Sequence, residues 1–72
     1  METFGERLRA LRKANKLSQP DFAKQIGVSN GMISFWENNI SEPSLSNLII
    51  LARFFGVTSD YLIGLSDKKT KE

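Results

Sequence analysis

The fold is decided by residues 18–38, SQPDFAKQIGVSNGMISFWEN, which predict two short helices joined by a glycine turn. Ser18 is a favoured N-cap residue, and Pro20 suits the first turn of the helix that follows. Gly27 comes directly after the apolar positions of that helix, as a left-handed C-cap does. Ser29 can cap the next helix. We predict helices over 19–26 and 30–37, which are too short to be stable without a core supplied by the rest of the chain.

A first helix over 3–14 is predicted upstream of this stretch. Phe4, Leu8 and Leu11 recur there at helical spacing, which gives the helix one apolar face. Thr3 is its predicted N-cap, with Glu6 three residues later as the capping-box partner.

Two more helices are predicted downstream. The fourth begins after Ser44 and ends at Gly56, and the short fifth begins after Thr58 or Ser59 and ends near Ile63. The residues predicted to face inward from the fourth helix are Leu45, Leu48, Ile49, Leu51, Ala52 and Phe55. We therefore predict an all-α, compact five-helix domain over residues 1–66, with a charged flexible tail over 67–72.

The composition excludes several classes of protein. The 72 residues contain no cysteine and no histidine, so disulfides, thiolate zinc sites and the commonest general base are ruled out. No apolar run approaches the roughly 20 residues that a membrane helix needs. We expect no cofactor, no metal site, no small-molecule ligand and no membrane partner, and a cytoplasmic setting is the default expectation.

The charge is concentrated near the N-terminus. The net charge of the chain is +2, but residues 1–16 alone carry a surplus of three positive charges. The five cations there are Arg7, Arg9, Arg12, Lys13 and Lys16, set against Glu2 and Glu6. A basic first helix suits an anionic partner, and a solvated face that serves solubility is the alternative.

Motifs throughout the chain match a known family. They are Leu11-Arg12-Lys13, Leu17-Ser18-Gln19, Phe22-Ala23, Gly27-Val28-Ser29, Ile33-Ser34, Trp36-Glu37, Pro43-Ser44-Leu45, Leu51-Ala52, Gly56-Val57 and Asp60-Tyr61-Leu62. Their spacing over about residues 4–65 resembles that of the lambda-repressor-like helix-turn-helix family, the Cro and phage-repressor (XRE) type. The resemblance implies a bacterial or phage-encoded transcriptional regulator, more often a repressor, that binds a palindromic operator at the nucleoid as a dimer.

In this family the second helix of the motif enters the major groove, so the resemblance makes the helix over 30–37 the reader. It implies that Gln19 contacts a phosphate and that Asn30 contacts a base, for which adenine is the best partner. Ser34 suits a base edge or a phosphate, and Asn38 matches a phosphate-contacting position. The full predicted DNA-contacting set is Ser18, Gln19, Ser29, Asn30, Gly31, Ser34, Phe35, Asn38 and Asn39; for Asn39 a structural role in a left-handed turn is the stronger interpretation.

Three residues depart from the family pattern. Many members have long polar or basic side chains at the positions of Gly31 and Phe35, and a cation at Ile40. Gly31 costs up to about 1 kcal/mol of helix propensity, which indicates that a backbone comes close, either DNA or the helix's own first turn. Phe35 either packs on thymine methyl groups or fills the core beside Phe22.

Two further sets of residues are predicted. The resemblance implies a partly buried salt bridge between Arg12 and Glu37. On a helical wheel, Ile50 and Phe54 lie opposite the predicted core stripe and form an exposed apolar pair. The candidate dimer face is Ile50, Phe54, Thr58, Tyr61, Leu62 and Leu65, with two scattered surface residues as the alternative.

The leading functional hypothesis is sequence-specific, dimeric DNA binding. The alternative is an antitoxin-like protein-interaction module, which the departures at Gly31, Phe35 and Ile40 motivate. An enzyme is a distant third, because no constellation of reactive residues is present.

Overall fold

The structure, a computed structural model, describes residues 2–70. It contains five helices: α1 (Phe4–Ala14), α2 (Gln19–Ile26), α3 (Asn30–Glu37), α4 (Leu45–Phe55) and α5 (Ser59–Leu62). The predicted five-helix, all-α fold is confirmed, with identical bounds for α2 and α3. No helix within residues 2–70 has the length and apolar character needed to cross a membrane.

Hydroxyl side chains begin all five helices. Each N-cap accepts a hydrogen bond from the backbone N–H three residues later, which satisfies one of the free donors of the first turn. The caps are Thr3, Ser18, Ser29, Ser44 and Thr58. At Thr3 the capping box with Glu6 is complete, as predicted, because the Glu6 carboxylate also accepts from the Thr3 N–H at 3.1 Å.

The core gathers around α3, which lies against both α1 and α2. Its buried apolar residues are Leu8, Leu11, Phe22, Ala23, Ile33, Trp36, Leu51 and Leu62. Close approach of α1 to α3 depends on Gly5. A Cβ at that position would lie 2.5 Å from the carbonyl oxygen of Glu37 and 2.7 Å from that of Trp36. The position of α3 is therefore set partly by a residue without a side chain.

The orientation predicted for α4 is partly wrong. Leu51 is buried, but Leu45 is 74% exposed and Ile49 is also exposed. The core stripe is centred on Leu51 rather than on the Leu45 side of the helix, and Phe54 on its other edge contacts Phe22 of α2. The ring of Phe54 lies 5.4 Å from that of Phe22.

The segment after α5 contacts the helices. The buried guanidinium of Arg7 donates to the carbonyl oxygens of Tyr61 and Ser66, at 2.8 and 2.6 Å, and pairs with Asp67 at 2.9 Å. The N–H of Thr58 donates to the carbonyl of Lys69 at 2.8 Å. Ser66, and Asp67 and Lys69 of the predicted tail, thus contact α1 and the start of α5, while positions 71 and 72 fall outside the described residues.

Candidate nucleic-acid interface

The helix-turn-helix unit consists of α2 and α3 joined by a left-handed glycine. Gly27 has φ +79° and its N–H donates to the carbonyl of Ala23, which ends α2. Ser29 then starts α3 by accepting from the N–H of Met32 at 3.1 Å. These two local interactions end α2 and begin α3, as the sequence predicted.

One side of α3 is locked into the core. Ile33, Trp36 and Glu37 recur at helical spacing and are buried. The side chain of Glu37 accepts from Arg12 Nε at 2.6 Å and Nη2 at 3.0 Å, and from Gln19 Nε2 at 3.1 Å. The predicted Arg12–Glu37 salt bridge is present, and it joins α1 to α3 while Gln19 ties in α2.

The charge state of Glu37 follows from these contacts. Burial raises the pKa of its carboxyl, but hydrogen bonds from Arg12 and Gln19, together with the Arg12 charge, outweigh that effect. The pKa of Glu37 therefore lies below its ordinary value, and the carboxylate is ionised at neutral pH. A rigid, charged link thus holds α3 in one orientation.

The opposite side of α3 faces solvent. Gly31, Ser34, Phe35 and Asn38 stand at i, i+3, i+4 and i+7 and form one stripe. Phe35 is 48% exposed, so it does not fill the core. The space beside Phe22, where a buried Phe35 would have packed, is occupied by the rings of Phe54 and Phe55. A ring presented to water in this way is free to contact a partner.

Asn30 is the first residue of α3 and is exposed. Its alternative role as a cap is taken by Ser29, whose hydroxyl accepts the hydrogen bond from Met32. Ser18 caps α2 in the same way, because its hydroxyl accepts a hydrogen bond from the backbone N–H of Asp21. Ser18 and Ser29, two of the three serines in the predicted contact set, therefore act as helix caps, and the side-chain amide of Asn30 remains available.

Gln19 lies at the first position of α2 and is half-buried. One N–H of its amide is given to Glu37, but an amide nitrogen carries two. The second N–H and the backbone N–H of Gln19 stand at a helix N-terminus, where the dipole favours an anion. The geometry suits the predicted phosphate contact.

Arg9 is one of the cations predicted for the basic first helix, and it lies at this surface although it was not in the predicted DNA-contacting set. Its Nη2 donates to Asn38 Oδ1 at 3.3 Å, and its Nε lies 3.4 Å from Glu37 Oε1. Asn38 in turn donates to the carbonyl of Ser34 at 2.9 Å. The signal was the spacing of Arg9 and Arg12, since residues three apart share one face of a helix.

Asn39 has the structural role favoured for it. Its φ is +58°, its Oδ1 accepts from the Gly5 N–H at 3.1 Å, and its Nδ2 donates to Thr3 Oγ1 at 3.0 Å. Both ends of the amide are thus used to tie the end of α3 to the start of α1.

The basic first helix is only partly exposed. Arg7 and Arg12 are buried and bonded within the domain, which leaves Arg9, Lys13 and Lys16 of the five predicted cations at the surface. The expected basic face is correspondingly smaller.

The candidate dimer face needs correction. Leu62 is fully buried in the core, so it cannot form part of a surface. Tyr61 is half-buried with the Arg7 guanidinium 4.4 Å from its ring centre. Thr58 is occupied as the cap of α5. Ile50, Phe54 and Leu65 are exposed, and so are Leu45, Ile49 and Ile63, which were not predicted.

Comparison with known proteins identifies the family. A family model described as helix-turn-helix matches residues 8–62. The chain is 42% identical over 62 residues to Repressor protein C2 of Salmonella phage P22, and 42% identical over 64 residues to the uncharacterized HTH-type transcriptional regulator YobD of Bacillus subtilis. These matches cover 86% and 89% of the chain, which spans only 29% and 57% of the respective relatives.

Solved structures agree. The crystal structure of the P22 c2 repressor in complex with a synthetic operator matches with a TM-score of 0.85 at 39% identity, covering 92% of this chain and all of that one. The solution structure of the DNA-binding domain of the same repressor matches with a TM-score of 0.77 at 43% identity, covering 85% of this chain and 80% of that one. The chain therefore belongs to the helix-turn-helix family of the Cro and phage-repressor (XRE) type, a family of DNA-binding regulators that are not enzymes.

Proposed function

We propose that this chain binds operator DNA in a sequence-specific manner and thereby regulates transcription, as a repressor, with α3 in the major groove. The observation that carries the proposal is the two-sided character of α3. Ile33, Trp36 and Glu37 anchor one side, while Gly31 and Phe35 lie at the centre of the side that faces solvent. The similarity to a repressor crystallised with its operator supports the same arrangement.

The polar residues divide into two roles. Asn30 reads sequence, because its free amide matches the donor and acceptor of adenine, a pairing that discriminates by about 1–3 kcal/mol. Gln19 and Arg9 hold the phosphates on either side, at the start of α2 and beside the end of α3. Phosphate contacts orient the domain without carrying sequence information.

The proposed binding unit is a dimer on a palindrome. The domain is 31 Å along its longest axis. Half-sites in palindromic operators stand one helical turn apart, about 34–36 Å. The longest dimension of one copy is therefore within that spacing, which is compatible with two copies side by side on one face of the duplex.

We propose that the dimer contact lies on the side of α4 that carries Leu45, rather than on the Ile50 and Phe54 side predicted from the sequence. Leu45 and Leu65 are 74% and 75% exposed, so each offers apolar surface that a second copy can cover. Leu45 is one turn from Leu48, which lines a cavity of about 380 Å³ together with Ile63. A symmetric contact there buries apolar surface, whereas Phe54 on the other edge is already engaged by Phe22.

Charge insertion distinguishes the two edges. Leu45→Lys should shift the protein toward monomer in sedimentation equilibrium and weaken operator binding, and Ile50→Lys is the matched control on the other edge. If Leu45→Lys remains a dimer and Ile50→Lys does not, the dimer contact lies instead at Ile50 and Phe54, as first predicted from the sequence.

Selection from a random duplex pool at about 150 mM salt tests the proposed function. We expect enrichment of one palindromic sequence. Asn30→Ala should relax the preference at one base pair in each half-site, while Gln19→Ala should weaken binding to all sequences alike. A pool that stays random after several rounds, with both variants unchanged, would refute the proposal.

A second candidate is a protein-interaction module. The exposed apolar Phe35 and Ile40 favour it, as does 32% identity over 61 residues to the antitoxin PezA of Streptococcus pneumoniae, of which the chain spans 39%. Under this alternative the pool yields no preferred duplex, and a stoichiometric protein complex is lost on Phe35→Ala. An enriched operator bound through α3 would exclude it.

A further inference from the structure

Gly31 has no role in holding the domain together. Gly5 permits the contact between α1 and α3, and Gly27 adopts a positive φ, as do the glycines after α4 and α5. Gly31 has ordinary helical geometry, and apart from its chain neighbours and the backbone of α3 a Cβ built there would meet no described residue closer than Ser29 Oγ, at 4.0 Å. A regular helical backbone accommodates a Cβ, and the Ser29 side chain leaves room for one, so the fold does not require a glycine at this position.

This glycine is unfavourable in the free domain. Glycine loses more conformational freedom on folding than any other residue, so alanine at an open helical position should be more stable. A glycine that the fold does not need, on the exposed side of the reading helix, indicates close approach of a partner at that point.

Phe35 lies beside Gly31 on the exposed side of α3 and adds an apolar ring to this part of the surface. It lies one turn after Gly31 on the same stripe, and helical side chains lean toward the N-terminus, so the surface that Phe35 covers extends toward Gly31. The ring is 48% exposed and has no hydrogen-bonding atom. Gly31 and Phe35 together form an apolar notch, a space without a side chain bordered by an aromatic ring.

We infer that the apolar notch receives the C5-methyl group of a thymine, so that Phe35 and Gly31 determine specificity next to Asn30. The inference rests on the proposed DNA binding and names the group that is recognised. The methyl of thymine is the apolar group that base pairs present in the major groove. An aromatic ring cannot pair with the polar base edges, whereas the missing Cβ at Gly31 lets the base edge approach the backbone.

Uracil substitution tests this directly, because it removes the methyl and nothing else. In the selected operator, each thymine is replaced in turn by deoxyuridine. We expect one position per half-site at which the wild-type protein loses about fourfold in affinity, the equivalent of one buried carbon. Phe35→Ala should bind thymine and uracil equally at that position, while other positions serve as internal controls.

Gly31→Ala tests the notch itself. The variant should melt at the wild-type temperature or above, yet bind the operator on the order of tenfold more weakly, as overpacking of a close contact predicts. Ser59→Ala, an exposed substitution in α5, is the matched control and should leave binding unchanged.

The outcomes separate the inference from the function on which it rests. An enriched operator that is bound equally with uracil at every position, or equally well by Gly31→Ala, overturns the inference and leaves DNA binding intact. A less stable Gly31→Ala protein also overturns it, since the fold would then need the glycine. If no duplex is enriched, both the inference and the proposed sequence-specific DNA binding are refuted.

Discussion

Replacing Arg12 with methionine removes the buried cation that pairs with the Glu37 carboxylate and leaves only Arg9, whose side chain is 43% exposed and whose Nε lies 3.4 Å from Glu37 Oε1. Arg12 supplies Glu37 with two hydrogen bonds, at 2.6 and 3.0 Å, and also donates to the carbonyl of Leu17 at 2.7 Å. Methionine keeps most of the length and volume of the side chain, so packing changes little and the lost interaction is electrostatic.

The expected loss is large relative to the stability of the domain. Removing one partner of a buried ion pair costs about 3–5 kcal/mol, because the remaining charge is uncompensated. A chain of 72 residues has a free energy of unfolding of about 4–11 kcal/mol at the usual value per residue. Arg12→Met should therefore leave the domain marginally folded at room temperature.

Urea unfolding monitored by tryptophan fluorescence measures this loss. Trp36 is the sole tryptophan of the chain and is 1% exposed, so its emission reports the loss of the core beside Glu37. A double-mutant cycle with Glu37→Met isolates the pair, and the double variant should be more stable than Arg12→Met alone. A loss below about 1 kcal/mol, as for an exposed pair, would refute the reasoning.

The pH dependence of the free energy of unfolding tests the Arg12–Glu37 pair independently. The pKa of Glu37 is below its ordinary value of 4.5 in the folded protein, so its contribution is present above that pH and is lost as the pH falls through the folded pKa. In Arg12→Met the carboxyl of Glu37 loses its buried cation and keeps only the half-exposed Arg9, so its pKa should rise relative to the wild-type protein. The difference in free energy of unfolding between wild type and variant should therefore become smaller from pH 6 toward pH 3. A difference that stays constant would contradict a Glu37 carboxylate stabilised by Arg12.

Three more predictions concern other residues. Gly5→Ala should lower the urea midpoint by the equivalent of about 1–3 kcal/mol or more, because its Cβ meets backbone carbonyls that cannot move aside. Asn39→Gly loses two side-chain hydrogen bonds, and Asn39→Ala loses the same bonds and also carries a left-handed backbone strain of about 1–2 kcal/mol. The melting temperature should therefore be highest for the wild type, lower for Asn39→Gly and lowest for Asn39→Ala. A higher melting temperature for Asn39→Ala than for Asn39→Gly would contradict the capping role. Arg9→Ala should make the salt dependence of operator binding shallower by about one unit per half-site with the base preference unchanged, and an unaltered slope would exclude a phosphate contact.

Local signals in the sequence were enough for most of the architecture. Ser18, Gly27 and Ser29 determine where α2 and α3 begin and end, through hydrogen bonds that depend only on neighbouring residues. Asn30 could be placed in the same way, since it follows a cap directly. The family pattern added the Arg12–Glu37 pair, which spans two helices and has no local signal.

Residues whose environment comes from distant segments could not be placed. Arg7 belongs by sequence to a basic face, but the carbonyls of Tyr61 and Ser66 bury its guanidinium. Leu62 looked like part of an apolar surface and is instead at the centre of the core. On α4, apolar residues surround the helix, so periodicity alone did not decide that Leu51 rather than Leu45 faces inward. In each case the missing information was tertiary contact.

The specificity ratio tests the central claim most directly. Fluorescence anisotropy titrations at about 150 mM salt would compare the selected operator with a scrambled duplex of the same length. Wild-type protein should prefer the operator by at least about 10³-fold, and Asn30→Ala should reduce that ratio by an amount equivalent to about 1–3 kcal/mol. A wild-type ratio near one, unchanged by Asn30→Ala, would contradict the proposal that α3 reads sequence.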